Sequence, residues 1–290
     1  MLVSNLNADT EQSFYREHQA HGKEAYFEEG GLRCRGYFKR SWRNEYKLPL
    51  ITVITVVCND KDTIVSTIKS VINLEYANIE YIIIDGLSSD GTLNHIRGHS
   101  EYIDYYLSQE DKGVYDAMNK GIQLARGDWL CFINSGDLVL HIDPNTLLDN
   151  ECLSCYYFDS LRNKMFRDPL TKMYLCRNTP CHQSIFYPKS KIKLYDLRYP
   201  IMSDFEQLTR VVSRTWKPKY NNSIVYFASP RISAINVLGT TFQHWNMLVK
   251  RCKIIYKNLG LFYFVLACGH SLRIIFYHFI LKPFLKALKH

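Results

Sequence analysis

The strongest constraint on the fold of this chain is a run of seven residues, Ile51–Val57 (ITVITVV), that are all apolar or β-branched. Because such a run has no polar face, it is typical of a strand buried on both faces of a parallel sheet. Shorter runs of the same kind predict three further strands, at Ile79–Ile84, Ile103–Leu107 and Trp129–Ile133. Helical patterns lie between them, at 64–72 and at Val114–Ala125. This alternation predicts βαβ units, and therefore an α/β fold with a mostly parallel sheet flanked by helices.

Polar residues follow three of the predicted strands directly, at Cys58-Asn59, at Asp85-Gly86 and at Asn134–Asp137 (NSGD). Ligands of open α/β sheets bind beyond the carboxyl ends of the strands, so these residues are candidates for a binding site. Asp85–Thr92 (DGLSSDGT) is not an EF-hand loop, because Leu87 occupies the third ligand position and no Glu stands at position twelve.

The chain divides into an acidic body and a basic tail. All 28 Asp and Glu residues lie in the first 206 positions, whereas residues 207–290 contain 13 Lys and Arg residues and no acid. Although the net charge is +8, this division is not that of a uniformly basic nucleic-acid binder. It favours a body that performs chemistry and a tail that contacts an anionic surface.

The tail, residues 241–290, begins with the pattern of a basic amphipathic helix. Apolar residues at helical spacing form one face: Trp245, Leu248, Val249, Cys252, Ile255, Tyr256 and Leu259. Basic residues form the other face: Lys250, Arg251, Lys253 and Lys257. The next 15 residues, 258–272, are uncharged but fall short of the roughly 20 that span a bilayer. We expect a hydrophobic, amphipathic helical tail on a membrane surface; a re-entrant or spanning segment, packing within the chain and an oligomer contact are open alternatives.

These patterns divide the chain into three segments: an N-terminal arm over 1–48 with a turn at Gly30-Gly31, an α/β domain over 49–240, and the tail over 241–290. The arm has no apolar run of the signal-peptide type, and the nine cysteines are odd in number and scattered. We therefore expect reduced thiols in a cytosol rather than disulfides. A zinc site formed by Cys152, Cys155, Cys176 and Cys181 is an alternative, although the second spacing is loose.

The motifs that follow the first strand come in a specific order. They read DGLSSDGT at 85–92, DKGVYDAMNKG at 111–121 and RGDWLCFINSGD at 126–137, and GGLR precedes them at 30–33. In this order they resemble the family 2 glycosyltransferases of the GT-A fold, in particular the bacterial members that build surface polysaccharides. The resemblance covers residues 30–215 and implies a Rossmann-like domain that binds a nucleotide-sugar.

The resemblance further implies a donor, usually linked to UDP, with a divalent cation, Mn²⁺ or Mg²⁺, on its diphosphate. Asp85 matches the carboxylate that hydrogen-bonds the base, and the backbone near Val57 and Asn59 would line the same pocket. The further candidates for donor binding are Asn119 and Gly121 under the nucleotide, Asn134 and Ser135 in the NSGD turn, and Lys112 beside the diphosphate. Arg210 is a second cation that could neutralise the diphosphate, although for both Lys112 and Arg210 a solvated or structural role is the commoner one.

The NSGD turn departs from the metal-binding pattern of the family. Asn134 and Gly136 stand where the family has the two acids of its Asp-x-Asp motif, and Asp137 follows one position later. Asp137 is therefore the candidate metal ligand, acting through waters and the donor phosphates, as Mg²⁺ tolerates. Weak metal dependence, or a turn carboxylate without a metal, is the alternative.

Glycosyl transfer with inversion needs a base on the face opposite the leaving diphosphate. The family places an acid for this role at the start of a helix past the metal turn, and MSDFEQ at 202–207 matches that segment. Asp204 is the candidate catalytic base, with Glu206 as the alternative and helix capping as a purely structural role. The segment CHQSIFY at 181–187 resembles an element that lines the acceptor, which makes His182 and Gln183 candidates on that side.

Together these features predict an enzyme, an inverting glycosyltransferase that moves a sugar from a UDP-sugar to a glycan. The basic tail favours a lipid-linked acceptor, such as a polyprenyl-diphosphate oligosaccharide in O-antigen, capsule or exopolysaccharide biosynthesis. We expect a cytoplasmic protein held peripherally on the inner face of the plasma membrane, without a nucleic-acid partner; a homo-oligomer formed through the tail is open. An inactive relative that binds nucleotide-sugar or acts as a scaffold is the alternative, which the retained Asp85, Asn119, Asp137 and Asp204 disfavour.

Overall fold

The structure of the chain, a computed structural model, describes residues 3–4, 27–40, 49–145, 147, 152–212, 220–228 and 241–276. The strands in these ranges are β1 Val3–Ser4, β2 Phe27–Gly30, β3 Tyr37–Phe38, β4 Ile51–Val57, β5 Ile79–Asp85, β6 Tyr105–Gln109, β7 Trp129–Phe132, β8 Leu138–His141, β9 Leu153–Asp159, β10 Lys164–Phe166, β11 Ile185–Pro188 and β12 Tyr220–Phe227. The helices are α1 Ile64–Ile72, α2 Thr92–Gly98, α3 Val114–Leu124, α4 Lys172–Leu175, α5 Ser203–Val212, α6 Thr241–Leu259 and α7 Leu261–Phe276.

In this part of the chain, ten strands form one sheet in the order β2-β6-β5-β4-β7-β11-β9-β12-β8, with β10 beside β9. The four strands β6, β5, β4 and β7 are parallel, because β4 pairs with β5 and β7, and β5 pairs with β6. The second half is mostly antiparallel, because β11 pairs in that sense with β7 and β9, and β12 with β8. The predicted α/β fold is confirmed, but the sheet is mixed rather than mostly parallel. Helices α1 to α3 connect the parallel strands.

The predicted strands and helices of the parallel half agree closely with the structure. β4 coincides with its prediction, β5 is one residue longer, and α3 and β7 each end one residue earlier. β6 begins at Tyr105, two residues later than predicted. The carbonyls of Ile103 and Asp104 instead accept hydrogen bonds of 2.9 Å from the backbone of Leu32 and Arg33 in the N-terminal arm.

Part of the N-terminal arm belongs to the sheet. β2 runs antiparallel to β6 at the sheet edge, and the chain then bends at Gly31, whose φ is 104°. Beyond the bend, the Arg33 guanidinium pairs with the buried Glu80 carboxylate, and Lys39 Nζ lies 2.8 Å from Asp104 Oδ2. The predicted turn at this position is thus present. The boundaries of the three segments stay predictions.

The first tail helix, α6, packs against the α/β domain. Ile254 and Ile255 have no exposed surface and join the core that contains Phe205 of α5. Arg251 donates to the backbone oxygens of Leu175 at 2.7 Å and Asn178 at 2.5 Å, and its guanidinium lies 4.3 Å from the ring centre of Phe205. Packing within the chain, one of the open alternatives, therefore accounts for part of the apolar face of α6, whereas Tyr256 on that face is 56% exposed. It also turns Arg251 inward, away from the predicted basic face.

The second tail helix, α7, exposes several apolar side chains. Four of them are at least 60% exposed: Leu261, Phe262, Val265 and Leu272. Lys250 and Lys253 on α6 are exposed as well. Among the described residues, none of the helices combines the length and the apolar character that crossing a membrane requires. The side chain of Trp245 and residues 277–290 of the predicted tail lie outside the described part.

Candidate active site

The loops that follow β4 and β5 are joined by hydrogen bonds at the carboxyl end of the sheet. Asn59, whose φ is 51°, donates from its backbone to Ser88 Oγ at 2.7 Å and accepts from Ser89 N through its side-chain oxygen at 2.9 Å. Val57 is buried just before it, and its carbonyl accepts from Gly86 N at 2.8 Å. These contacts give the predicted pocket wall a fixed backbone.

The candidate base-binding carboxylate, Asp85, is the last residue of β5 and has no exposed surface. Its oxygens accept hydrogen bonds from Ser88 Oγ at 2.5 Å, Ser88 N at 3.0 Å and Ser108 Oγ at 2.6 Å. The carboxylate is thus buried and bonded within the chain on both oxygens. The contact of Asp85 with a base stays a prediction.

A second carboxylate, Asp111, lies at the same edge of the sheet. It was not among the candidates predicted from the sequence, where its position in the DKGVYDAMNKG motif was the only signal for it. It accepts from Gly113 N at 2.8 Å, and burial raises its pKa. Asp111 Oδ2 is so close to Gly86 that a β-carbon at Gly86 would lie 2.5 Å from it. Lys112, the next residue, is exposed at the rim and remains a candidate for the diphosphate.

Asn119 and Gly121 have roles other than the predicted contacts to the donor. The Asn119 side chain is bonded to the backbone of Tyr195 at both ends: Nδ2 donates to the carbonyl at 3.0 Å and Oδ1 accepts from the N–H at 2.6 Å. Gly121 faces β4, where a β-carbon would come within 2.5 Å of Ile54 Cγ2. The amide therefore holds a loop and the glycine permits close packing of α3 on the sheet, so neither is assigned to the donor pocket.

Asn134 and Ser135 lie in the turn after β7, facing neighbouring loops. Asn134 Nδ2 is 3.5 Å from His182 Nε2, and Ser135 Oγ is 3.4 Å from Thr63 Oγ1. Asn134 Oδ1 is buried and has no hydrogen-bond partner among the described residues. Because such an oxygen costs about 1–3 kcal/mol when left unsatisfied, we expect it to accept a bond from a bound group.

The backbone of this turn explains the missing second acid of the motif. Gly136 has a φ of 94°, and its N–H donates to Thr67 Oγ1 at 2.9 Å. A residue with a β-carbon is strained in this left-handed conformation, whereas glycine is not. The turn is therefore built for glycine at the position where the family pattern has an acid.

Asp137 is not placed to hold a metal ion. Its carboxylate is 4% exposed, and it accepts from Gln183 Nε2 at 2.9 Å on one oxygen and from Ala228 N at 2.9 Å on the other. Burial raises its pKa to about 7, although the Gln183 hydrogen bond acts in the opposite direction. Mg²⁺ and Mn²⁺ prefer accessible oxygen ligands, and no cluster of three His, Cys, Asp or Glu side chains suited to a metal exists among the described residues. The residues present do not fit the implied cation, and Asp137 is corrected to a structural role.

Gln183 is corrected together with Asp137. It is 4% exposed and uses its amide nitrogen for Asp137, while its amide oxygen accepts from Cys181 Sγ at 3.2 Å. The side chain therefore stabilises the turn after β7 through its hydrogen bond to Asp137 and is not placed to line an acceptor site.

Asp204 lies in the first turn of α5, and 18% of its side chain is exposed. Its Oδ1 accepts from the Tyr115 hydroxyl at 2.9 Å, and its Oδ2 lies 3.8 Å from His182 Nδ1. Burial lowers the pKa of His182, and the charge of Asp204 opposes that change. Because the other nitrogen of His182 faces Asn134, the structure brings Asp204, His182 and Asn134 together in one polar row.

Glu206 is not available as the alternative base. It is 1% exposed, with Oε2 2.8 Å from Arg210 Nε and Oε1 3.6 Å from Lys257 Nζ of α6. Arg210 also donates to Leu194 O at 2.9 Å, which favours its structural role over a place beside the diphosphate. Lys257 contacts Glu206 as well, although its side chain is 49% exposed and stays on the solvated side of α6.

The parallel half of the fold is similar to a known family. The model of glycosyl transferase family 2 matches residues 52–143. An uncharacterized glycosyltransferase of Mycobacterium tuberculosis is 43% identical over 90 residues, which cover 31% of this chain and 34% of that protein. The PGL/p-HBAD biosynthesis glycosyltransferase of Mycobacterium bovis is 29% identical over 174 residues, which cover 54% of this chain and 68% of that protein.

The matched part of the chain spans about a third of the length of the first relative and about two thirds of the second. Solved structures show the same fold over most of the chain. Staphylococcus aureus TarS 1–349 in complex with UDP aligns with a TM-score of 0.56 and 11% identity, over 80% of this chain and 72% of that one. The mannosyltransferase PcManGT from Pyrobaculum calidifontis, in complex with GDP-Man and Mn²⁺, aligns at 0.53 and 14%, over 92% and 82%. The predicted GT-A fold is confirmed.

Proposed function

We propose that the protein is an inverting glycosyltransferase that moves a sugar from a nucleotide-sugar to a hydroxyl of a glycan acceptor. The observation that carries this proposal is the partly exposed carboxylate of Asp204, which stands near the turn after β7 beside His182. A carboxylate in this position takes the proton of the attacking hydroxyl. When the attack comes from the face opposite the leaving diphosphate, the anomeric carbon is inverted.

We propose UDP as the nucleotide of the donor. The support is the UDP complex of the TarS neighbour and the loops around Asp85, which match the family's base-binding segment. Lys112 supplies positive charge for the diphosphate, and the unpartnered Oδ1 of Asn134 accepts a donor hydroxyl. The mannosyltransferase neighbour contains Mn²⁺, but the residues around Asp137 do not fit such an ion, and no step of this proposal depends on one.

Calorimetric titration with UDP and with GDP, followed by UDP release from a panel of UDP-sugars, tests the proposal. Asp204→Asn should leave UDP affinity unchanged and lower turnover by about 10²–10⁴-fold, since it removes the base. Asp196→Asn is the matched control, because that carboxylate is 17% exposed in the loop before α5 and pairs with Arg198. Binding of neither nucleotide, or full turnover by Asp204→Asn, would contradict the proposed function.

We further propose a lipid-linked acceptor, such as a polyprenyl-diphosphate oligosaccharide used in polysaccharide biosynthesis, and a location on the inner face of the plasma membrane. The acid-free tail supports this, because exposed Lys250 and Lys253 would face anionic lipid while the apolar face of α7 enters it. The packing of α6 moves the proposed membrane contact to α7, in particular to Phe262 and Val265, which are 66% and 60% exposed.

Sedimentation with vesicles of phosphatidylglycerol or of phosphatidylcholine tests the membrane proposal in the full-length protein. The double variant Phe262→Ser/Val265→Ser should lose binding to the anionic vesicles. Leu161→Ser, at a site 69% exposed on the domain, is the control and should bind as the wild type does. Equal binding by the double variant and the wild type would contradict the role of α7.

A nucleotide-sugar-binding or scaffold protein without turnover is the second candidate function. It is favoured by the glycine conformation at Gly136 and the buried Asp137, which leave the turn without an accessible acid. Tight UDP binding with no UDP release from any UDP-sugar, in the presence of lipid extract, would support this candidate over the enzyme.

A further inference from the structure

Tyr115 connects the DKGVYDAMNKG motif on α3 to the candidate base on α5. It lies in the first turn of α3, is 9% exposed, and its hydroxyl donates to Asp204 Oδ1 at 2.9 Å. Its ring packs on Tyr195, with the ring centres 5.3 Å apart. Asn119, one helical turn later, holds the backbone of Tyr195 on the same side of α3. The motif therefore braces the start of α5 rather than contacting a nucleotide with these residues.

The polar surroundings of Asp204 single out the Tyr115 hydroxyl. His182 Nδ1 lies 3.8 Å from Oδ2, and the backbone N–H of the next residue lies 2.7 Å from Oδ1. The phenols of Tyr187 and Tyr195 are near enough for the charge of Asp204 to add to the effect of burial, which raises the pKa of both. Neither of these two hydroxyls has a hydrogen-bond partner among the described residues. Tyr115 is thus the tyrosine that contacts the carboxylate.

We propose that Tyr115 is a positioning residue for the base: its hydroxyl fixes one oxygen of the Asp204 carboxylate and leaves the other turned toward His182 and the acceptor. The inference rests on the proposed function of Asp204. Burial, and then the neighbouring charge of Asp204, raise the pKa of Tyr115 far above its usual value, so the phenol keeps its proton and acts as a donor only. It holds the base without competing for the proton of the acceptor.

This contact has a consequence that a merely structural tyrosine would not have. Because the hydroxyl holds Oδ1, it fixes the orientation of the carboxylate and therefore the direction in which Oδ2 faces. A base that is turned out of place works less well in the transition state, although the donor still binds. Loss of the hydroxyl should therefore lower kcat and leave the KM for the donor unchanged.

Tyr115→Phe and Tyr195→Phe are the matched pair for the test. Both remove a buried phenol hydroxyl from the same aromatic cluster, but only the Tyr115 hydroxyl contacts Asp204. UDP release from UDP-glucose, UDP-galactose and UDP-N-acetylglucosamine, with water as acceptor, gives kcat and KM for the wild type and for both variants.

We expect kcat to fall by about 10–100-fold in Tyr115→Phe, with an unchanged KM, and to stay at the wild-type value in Tyr195→Phe. No change in either variant would overturn the inference, since the hydroxyl would then bond to Ile201 O, 3.4 Å away. Equal losses in both variants would overturn it too, because the cause would be packing rather than the hydrogen bond.

Asp204→Asn in the same assay separates this inference from the proposed function. If Asp204→Asn is inactive and Tyr115→Phe keeps the wild-type kcat, the positioning role fails while the base remains. If Asp204→Asn retains wild-type turnover, the base fails, and its positioning residue fails with it. A lowered kcat with an unchanged KM in Tyr115→Phe, together with an inactive Asp204→Asn, supports both.

Discussion

Replacing Asp137 with Asn tests whether this carboxylate is a buried structural group. In the wild type it accepts hydrogen bonds from Gln183 and Ala228, and burial raises its pKa from 3.8 to about 7. A rise of that size corresponds to about 4 kcal/mol between the two protonation states. Because the folded protein holds the proton more tightly than the unfolded chain, this stabilisation is complete below pH 3.8 and is lost as the pH rises through about 7. The wild-type free energy of unfolding should therefore fall by up to about 4 kcal/mol over this range.

An Asn side chain does not titrate in this pH range, so the free energy of unfolding of Asp137→Asn should not fall in this way as the pH rises. At low pH the variant should be less stable by about 1–3 kcal/mol, because its amide nitrogen faces one of the two N–H donors. Toward pH 8 the deficit should shrink or reverse. Urea unfolding at several pH values measures the difference, with Asp143→Asn, a buried carboxylate that accepts from Asn145 and Asn222, as the control. A difference between wild type and Asp137→Asn that stays constant with pH would refute the reasoning.

The same variant tests the metal assignment directly. Titration of Mn²⁺ into UDP-saturated protein should give the same heat and affinity for wild type and Asp137→Asn, since neither carboxylate oxygen is free for an ion. Loss of Mn²⁺ binding in Asp137→Asn, with UDP affinity preserved, would identify the residue as a ligand and contradict the structural role.

Two further substitutions test the packing. Gly121→Ala should destabilise the protein by about 1–3 kcal/mol, because its β-carbon would meet Ile54, whereas Gly98→Ala, with open space around it, should be neutral in the same thermal unfolding assay. Arg251→Met should lower the free energy of unfolding by about 2–4 kcal/mol. It removes the hydrogen bonds to the backbone oxygens of Leu175 and Asn178 and the contact with the Phe205 ring. Lys253→Met, on the exposed side of α6, should change it by less than about 0.5 kcal/mol, and a similar loss in both would contradict the docking of α6.

The parallel half of the fold was predictable because burial on both faces of a strand leaves an unbroken apolar run. β4 and β5 are buried at every position, and their bounds agree with the sequence. β12 (YNNSIVYF) is buried on one face only and has polar residues on both, so its pattern does not separate it from a loop. β2 (FEEG) has a single large apolar residue, and its partner strand β6 lies far along the chain. Such strands depend on their neighbours in the sheet, which a local pattern does not contain.

The motifs located the loops of the site, but they did not say where each side chain points. Asn119 and Gln183 are polar residues in matching motifs, yet their amides bind Tyr195 and Asp137, which are distant in sequence. The conformation at Gly136 could have been suspected from glycine alone, because that residue type often marks a positive φ. Tyr115 could have been noticed too, since it lies four residues before Asn119 and thus on the same helix face.

The docking of α6 on α5 also matters while the protein is being synthesised. The helix that carries Asp204 shares a core with Ile254 and Ile255, which are synthesised after it. Until those residues are made, the side of α5 that packs against them stays open to solvent, a state that attracts chaperones and proteases. A chain clipped near residue 240 would keep this surface exposed. We therefore expect loss of α6 to lower the amount of protein that accumulates in the cell.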